Sequence, residues 1–359
     1  MKTIFMMILF VIATSNSFSQ NKLSVLQVPA EFDKLLLKNN VWGEKFFIGN
    51  SKKNEPIYAY YYNKNGSEKA MIIAGVHGSE FYGVDVVKAL MDSLNNVNVK
   101  TFRWKLLIIP CLFPDNIPTI DSLKFCENMG RYSCENCLDP NRQMPKLNIP
   151  YKIGDTCSNN YDSIELENQY LLYLTQQYNP TRIASVHCKN NARYYEIGIY
   201  ADPITYNRNG DNIAFDFSAP KTLAIRMADE VKANNGQILG NFYKNVGKKD
   251  EAIELVRLEE STAIYPQDPK AIGMGEKQKR NYETGIYRNK ISFGTWASSE
   301  IKQNNKRIKH AATMLTLELP QYYSFYSPQT YGSVLNEQLL KTNTAAYVTA
   351  LKNIFLENK

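Results

Sequence analysis

Two of the three histidines in this chain of 359 residues stand where they could share one chemical task. His77-Gly78-Ser79-Glu80 directly follows the apolar run from Met71 to Val76. A strand end leading into a helix puts residues i and i+3 on one face, and imidazole nitrogen and carboxylate oxygen are both good zinc donors. Gly78 lets the backbone turn tightly between them. His187 closes a second apolar run, Ile183-Ala184-Ser185-Val186, and offers a further nitrogen. Three protein ligands with one position left for water define a catalytic zinc site. Each piece alone is ordinary, because a His-x-x-Glu spacing arises by chance and a lone histidine near a strand is commonly a satisfied core residue. Glu318 is the fourth candidate. In Met314-Leu315-Thr316-Leu317-Glu318-Leu319-Pro320, strand alternation puts the three leucines on one face and Thr316 with Glu318 on the other. A carboxylate in such a strand is costly unless it has a partner or a task. The third histidine, His310, ends the basic stretch Lys306-Arg307-Ile308-Lys309 and reads as a solvated residue.

The elements that must position these groups follow from periodicity. Met71 to Val76, Leu106 to Pro110, Ile183 to Val186 and Met314 to Leu319 are short apolar runs of the kind buried strands show, and Tyr194 to Tyr200 reads as another strand. Val84, Val87, Leu90 and Leu94 recur at helical spacing within Phe81 to Leu94. Ile164 to Tyr178, Ala219 to Asn235 and Val334 to Asn358 also read as helices. Alternating strands and helices predict an α/β fold: a mixed, largely parallel twisted sheet flanked by helices on both faces. In such sheets, sites lie beyond the carboxyl ends of the strands, and each polar cluster above falls at one.

Taken in order, these residues resemble the zinc metallocarboxypeptidase family, the carboxypeptidase A-like group, and in character its bacterial murein-peptide carboxypeptidases and amidases. The His-x-x-Glu after a strand, the distant single histidine and the late strand-borne glutamate occur in the family's order. Leu138-Asp139-Pro140-Asn141-Arg142-Gln143 is similar to the family's Asp-x-Asn-Arg-Asn segment, and Phe113-Pro114-Asp115-Asn116 to its turn after the second strand. Tyr287, with Gly294 and Trp296 downstream, is spaced like the family's mobile tyrosine and its partner segment. The resemblance spans about Val41 to Phe355. Pro140, Gln143, Thr295 and Cys188 depart from the usual pattern, as does the cysteine-bearing loop.

The resemblance implies one zinc ion held by His77, Glu80 and His187, with Glu318 as general base. It implies that Arg131 stabilises the oxyanion, that Asn141 and Arg142 grip a terminal carboxylate, and that Tyr287 closes over the substrate from a loop. The implied partner is a peptide with a free C-terminal carboxylate, cell-wall peptides included. Glu300 reads as a surface residue, with a cationic substrate side chain as the alternative. Two other functions compete. An N-acyl amino acid deacylase would use the same ligands, and hydrolysis of a C-terminal peptide bond against that of an N-acyl amino acid separates the two. A non-catalytic peptide- or glycan-binding relic is disfavoured because all four site residues are present.

Composition bounds the rest. Hydrophobic residues make up 44% and charged residues 21%, which excludes the disorder signature. The net charge of +7 is mild for this length and no basic tail occurs, which argues against nucleic acid as the main partner. Residues 1–19 read as a signal peptide: Lys2 precedes an apolar run from Ile4 to Ala13, and Ser17 and Ser19 stand at the small-residue cleavage spacing. The run is too short to span a membrane. The expectation is an exported protein, periplasmic or extracellular, with a single catalytic domain over 20–359. Export permits disulfides. Cys126, Cys134, Cys137 and Cys157 cluster in a segment that reads as a stapled loop, with a zinc site at Cys134 and Cys137 as the weaker option.

Overall fold

The computed structural model describes residues 42–62, 66–98, 102–117, 139–158, 163–189, 197–202, 204–207, 213–216, 218–238, 242–245, 254–257, 286–287, 290–304, 306–322, 334 and 336–357. Its centre is a seven-stranded sheet. The strands are β1 (Glu44–Asn50), β2 (Pro56–Tyr62), β3 (Glu68–Ala74), β4 (Trp104–Ile109), β5 (Arg182–Lys189), β6 (Gly198–Asp202) and β7 (Thr313–Pro320), in the order β1-β2-β4-β3-β5-β7-β6. The four central strands are mutually parallel, while β2 and β6 run against their neighbours. The expected mixed, largely parallel sheet is therefore present.

The near-continuous apolar sequences of β3 and β4 fit strands covered on both sides. On one face lie α1 (Phe81–Leu94), α3 (Ser218–Ala233) and α5 (Glu337–Ala350). Their apolar stripes pack on Ala70, Ile72, Leu106, Ile108, Val186, Leu315 and Leu317. On the other face lie α2 (Leu166–Tyr178) and the short α4 (Phe293–Ala297), packed with Met71, Ile73, Leu107, Ile183 and Met314. The expected helix over Val334 to Asn358 is α5, continued by a π-helical turn at Leu351–Phe355.

The edge hairpin of β1 and β2 is a feature that the apolar runs did not announce. Ile57, Ala59 and Tyr61 alternate inward on β2, but the intervening tyrosines blur the period-two signal. The segment carrying Arg131 and Cys126, Cys134 and Cys137 lies outside the described residues, as does the expected signal peptide. No disulfide joins the described cysteines. Cys111 and Cys188 carry free thiols, and Cys157 Sγ lies 3.6 Å from the Ser163 carbonyl oxygen. Among the described residues, no helix is long and apolar enough to cross a membrane.

Candidate metal centre

His77 has an extended backbone just beyond β3, and Gly78–Glu80 forms a single 3-10 turn before α1. That turn presses against the 3-10 turn Pro114–Asn116: a Cβ on Gly78 would run into the Asn116 carbonyl. Glycine is therefore required here by close approach of two backbones rather than by the turn itself. Gln321, just past β7, donates from Nε2 to the Ser79 carbonyl at 2.7 Å and ties the turn to the far strand.

The two imidazoles and one carboxylate converge. His77 Nδ1 lies 3.0 Å from Glu80 Oε1, and His187 Nδ1 lies 2.7 Å from Glu80 Oε2. Ligand atoms of the three residues all lie within 4.8 Å of one another, and all three side chains are buried. Each outer ring nitrogen also has an oxygen beside it. His77 Nε2 is 3.0 Å from Asp139 Oδ1, and His187 Nε2 is 3.0 Å from Ser185 Oγ. Such outer partners fix tautomer and ring orientation, leaving the inner nitrogens to bind. Burial pushes the Glu80 carboxyl up, but the imidazoles of His77 and His187 outweigh it and hold the group well below the usual carboxylate range. Two nitrogens and an ionised carboxylate suit a divalent metal ion.

Glu318 stands directly beside His187, because β5 and β7 are parallel with Glu318 in register with His187 and Thr316 with Ser185. It is 5% exposed, between leucines that face the opposite core. Cys188 follows His187 as a buried thiol. Burial first, then Glu80 and Glu318, raise it well above its ordinary value. Its Sγ donates to the Glu80 carbonyl at 3.4 Å, so it is a structural thiol.

Asn141 and Arg142 sit on the 3-10 turn Pro140–Arg142, capped by Asp139. Asp139 Oδ1 accepts the Asn141 backbone N–H at 2.9 Å while facing His77, so one oxygen joins this turn to the imidazole side. Asn141 Oδ1 accepts the Phe293 N–H at 2.9 Å. Arg142 Nη1 donates to the Asn141 carbonyl at 2.7 Å. Gln143, one of the departures from the family pattern, donates to Glu165 Oε2 and accepts from Asn168 Nδ2, which anchors the turn to α2. Tyr287 lies in a two-residue strand, Ile286–Tyr287, paired with Lys290–Ile291. Ile291 in turn bridges Met144, which brings the Tyr287 backbone toward the Arg142 turn.

Two groups at the site carried no clear signal in the sequence. Asp202, on β6, is buried and accepts Thr316 Oγ1–H at 2.7 Å. A Cβ on Gly294 would collide with its carboxylate, so α4 packs tightly over it. Burial pushes the Asp202 carboxyl up to about 7, Thr316 and Arg142 pull against this, and Glu318 adds to it. Asp139 was visible only inside the Asp-x-Asn-Arg segment, with its contact to His77 unforeseen. Glu300 pairs with Lys302 at 2.7 Å and with Arg307, as a surface residue would. His310 is exposed as expected, whereas its neighbour Lys309 is fully buried.

No family model matches the sequence, and no curated protein matches it either. Solved structures do resemble the fold. Carboxypeptidase A from Helicoverpa armigera aligns with a TM-score of 0.50 at 11% identity, covering 88% of this chain and 68% of that one. Bovine thrombin-activatable fibrinolysis inhibitor, solved with a tick carboxypeptidase inhibitor, gives a TM-score of 0.48 at 15% identity over 90% of this chain and 92% of that one. The chain thus has the carboxypeptidase-like α/β fold.

Proposed function

We propose that the chain is a zinc-dependent carboxypeptidase that hydrolyses the C-terminal amide bond of peptides. The observation that carries this reading is the convergence of His77 Nδ1, His187 Nδ1 and the Glu80 carboxylate, with Glu318 in register beside His187. Bound to those three residues, a zinc ion would supply Lewis acidity and bring the pKa of a water to about 7. Glu318 takes a proton from the attacking water and returns it to the leaving amine. Arg142, with the Asn141 amide, binds the terminal carboxylate of the substrate, a task suited to the planar guanidinium. Arg131 is assigned to the oxyanion and Tyr287 to closing over the substrate, on the family resemblance.

Asp202 adds a preference. A buried carboxylate beside Thr316, two strand positions from the base, would favour a C-terminal residue with a cationic side chain. Export of the chain after removal of residues 1–19, a single domain over 20–359, and cell-wall peptides as natural substrates complete the proposal; they rest on the sequence and the resemblance. The test is metal analysis of the purified chain together with digestion of a peptide library followed by mass spectrometry. Loss of single C-terminal residues, dependent on zinc, is the expected outcome. A chain that binds no zinc, or that cleaves only internally, would overturn it.

A further inference from the structure

Lys309 is a buried basic group that the proposed chemistry leaves unused. It ends the strand Lys306–Lys309, is 1% exposed, and among the described residues no carboxylate pairs with it. Its Nζ instead donates to backbone carbonyls: Ala297 at 2.6 Å, Ser299 at 2.7 Å, His310 at 3.1 Å and Trp296 at 3.4 Å. It also lies 5.0 Å from the centre of the Trp296 ring. Two of these carbonyls, Trp296 and Ala297, close α4 and that of Ser299 lies just beyond its C-cap, Ser298, the end of a helix where acceptors outnumber donors and a cation is favoured. Burial pushes the ammonium down to about 7, so the arrangement is costly and calls for a reason.

The other end of α4 supplies one. Ser292 caps the helix by accepting the Thr295 N–H at 3.2 Å. The first residue, Phe293, donates its N–H to Asn141 Oδ1, and the second, Gly294, abuts Asp202. From Asn141 the bonding continues through its own N–H to Asp139 Oδ1, which faces His77. A helix of five residues cannot hold its own orientation by propensity. It is clamped at one end by the ammonium and aims the Asn141 amide with the other.

We propose that Lys309 is a positioning residue. By bonding the carbonyls of Trp296, Ala297 and Ser299 it fixes α4, and through the Phe293 N–H it sets the side-chain orientation of Asn141 toward the substrate. The link to substrate rests on the carboxypeptidase reading; the link from Lys309 to Asn141 does not. The test compares the full-length, zinc-supplemented wild type with Lys309→Met, Lys309→Gln and Lys309→Arg. Asn343→Ala, a buried change in α5 on the opposite sheet face, serves as the control for general destabilisation. Steady-state cleavage of a peptide with a free C-terminus should show KM raised about tenfold in Lys309→Met with kcat within about threefold. Lys309→Arg and Lys309→Gln, which keep donors, should recover part of the loss, and Asn343→Ala should leave KM unchanged. Hydrogen exchange at the Phe293 amide should quicken in Lys309→Met and not in Asn343→Ala. Equal KM values in Lys309→Met and wild type, or unaltered Phe293 exchange, would overturn the proposal. If Lys309→Met does not fold, the Gln variant carries the same comparison. If the wild type cleaves no peptide, the function fails by itself and the exchange readout still decides the positioning role.

Discussion

The imidazole side of the site and its arginine side are held by different means. His77, Glu80, His187 and Glu318 hang from the carboxyl ends of β3, β5 and β7, three adjacent central strands whose backbone ladder sets their spacing. Asn141 and Arg142 stand on a three-residue turn with one backbone bond of its own, Arg142 N–H to the Asp139 carbonyl, and single bonds made by side chains tie it to its surroundings: Asp139 to the Asn141 N–H, Gln143 toward α2, and Asn141 to the Phe293 N–H of α4. A ladder fixes geometry through many bonds at once, so that side tolerates the loss of any one. A relay of single bonds does not, and the arginine side is therefore expected to be the more easily detuned.

Four experiments would break or sharpen that contrast. Glu318→Gln keeps the register and the three ligands, so zinc content should stay at the wild-type level while turnover falls about 10²–10⁴-fold. Normal turnover in that variant would remove the general-base assignment. Asp139→Ala touches both sides through one oxygen. Zinc affinity should drop about 10–100-fold, as for other partners of ligating histidines, and KM should rise with it when measured at saturating zinc. A change in zinc affinity alone would show that the two sides are independent. Arg142→Ala should raise KM for peptides with a free C-terminus about 10–100-fold, the range for a hydrogen bond to a charged group. Amidated peptides should be indifferent to it, and metal content should not move.

The smallest effect concerns Asp202. Its carboxyl is pushed up to about 7, so it is neutral below that pH and ionised above it. Preference for a C-terminal lysine over leucine should grow several-fold as pH rises through 7, and Asp202→Asn should flatten that trend. The same shift has a stability sign. Between about pH 4 and 7 the folded chain keeps a proton that the unfolded chain releases, so this group's contribution to stability falls across that window as pH rises. Thermal unfolding of Asp202→Asn at pH 5 and pH 8 should show a smaller loss on alkalinisation than wild type, and an equal loss would discount the burial effect.

What was legible in the sequence was what periodicity and spacing encode. The central strands and α1 were readable because burial on both faces, or a single apolar stripe, leaves a strong pattern. The positions of His77, Glu80, His187 and Glu318 followed from strand ends. What escaped depends on contacts far apart in the chain. The β1–β2 hairpin hid behind tyrosines that serve on either face of a sheet. Asp202 is one acid in a short edge strand, meaningful only once Thr316 and Gly294 are beside it. Lys309 sits in a basic stretch where Ile308 bulges out of register with the facing strand, and the broken alternation turns Lys309 inward while Lys306 and Arg307 stay exposed. Four basic residues within five positions gave no hint of which one the fold would enclose.

The parallel pairing of β5 with β7 has a consequence for how such a chain can change over time. His187 and Glu318 are aligned by the ladder between their own strands and not by anything in the long stretch that joins them. Loops, hairpins and whole helices in that stretch can be lengthened, traded or lost without moving the two groups relative to each other. A slip by a single residue between the paired strands would instead carry the glutamate to the opposite side of the sheet. Surface character is thus free to drift in the connecting segment, while the aligned histidine and glutamate are inherited as one unit.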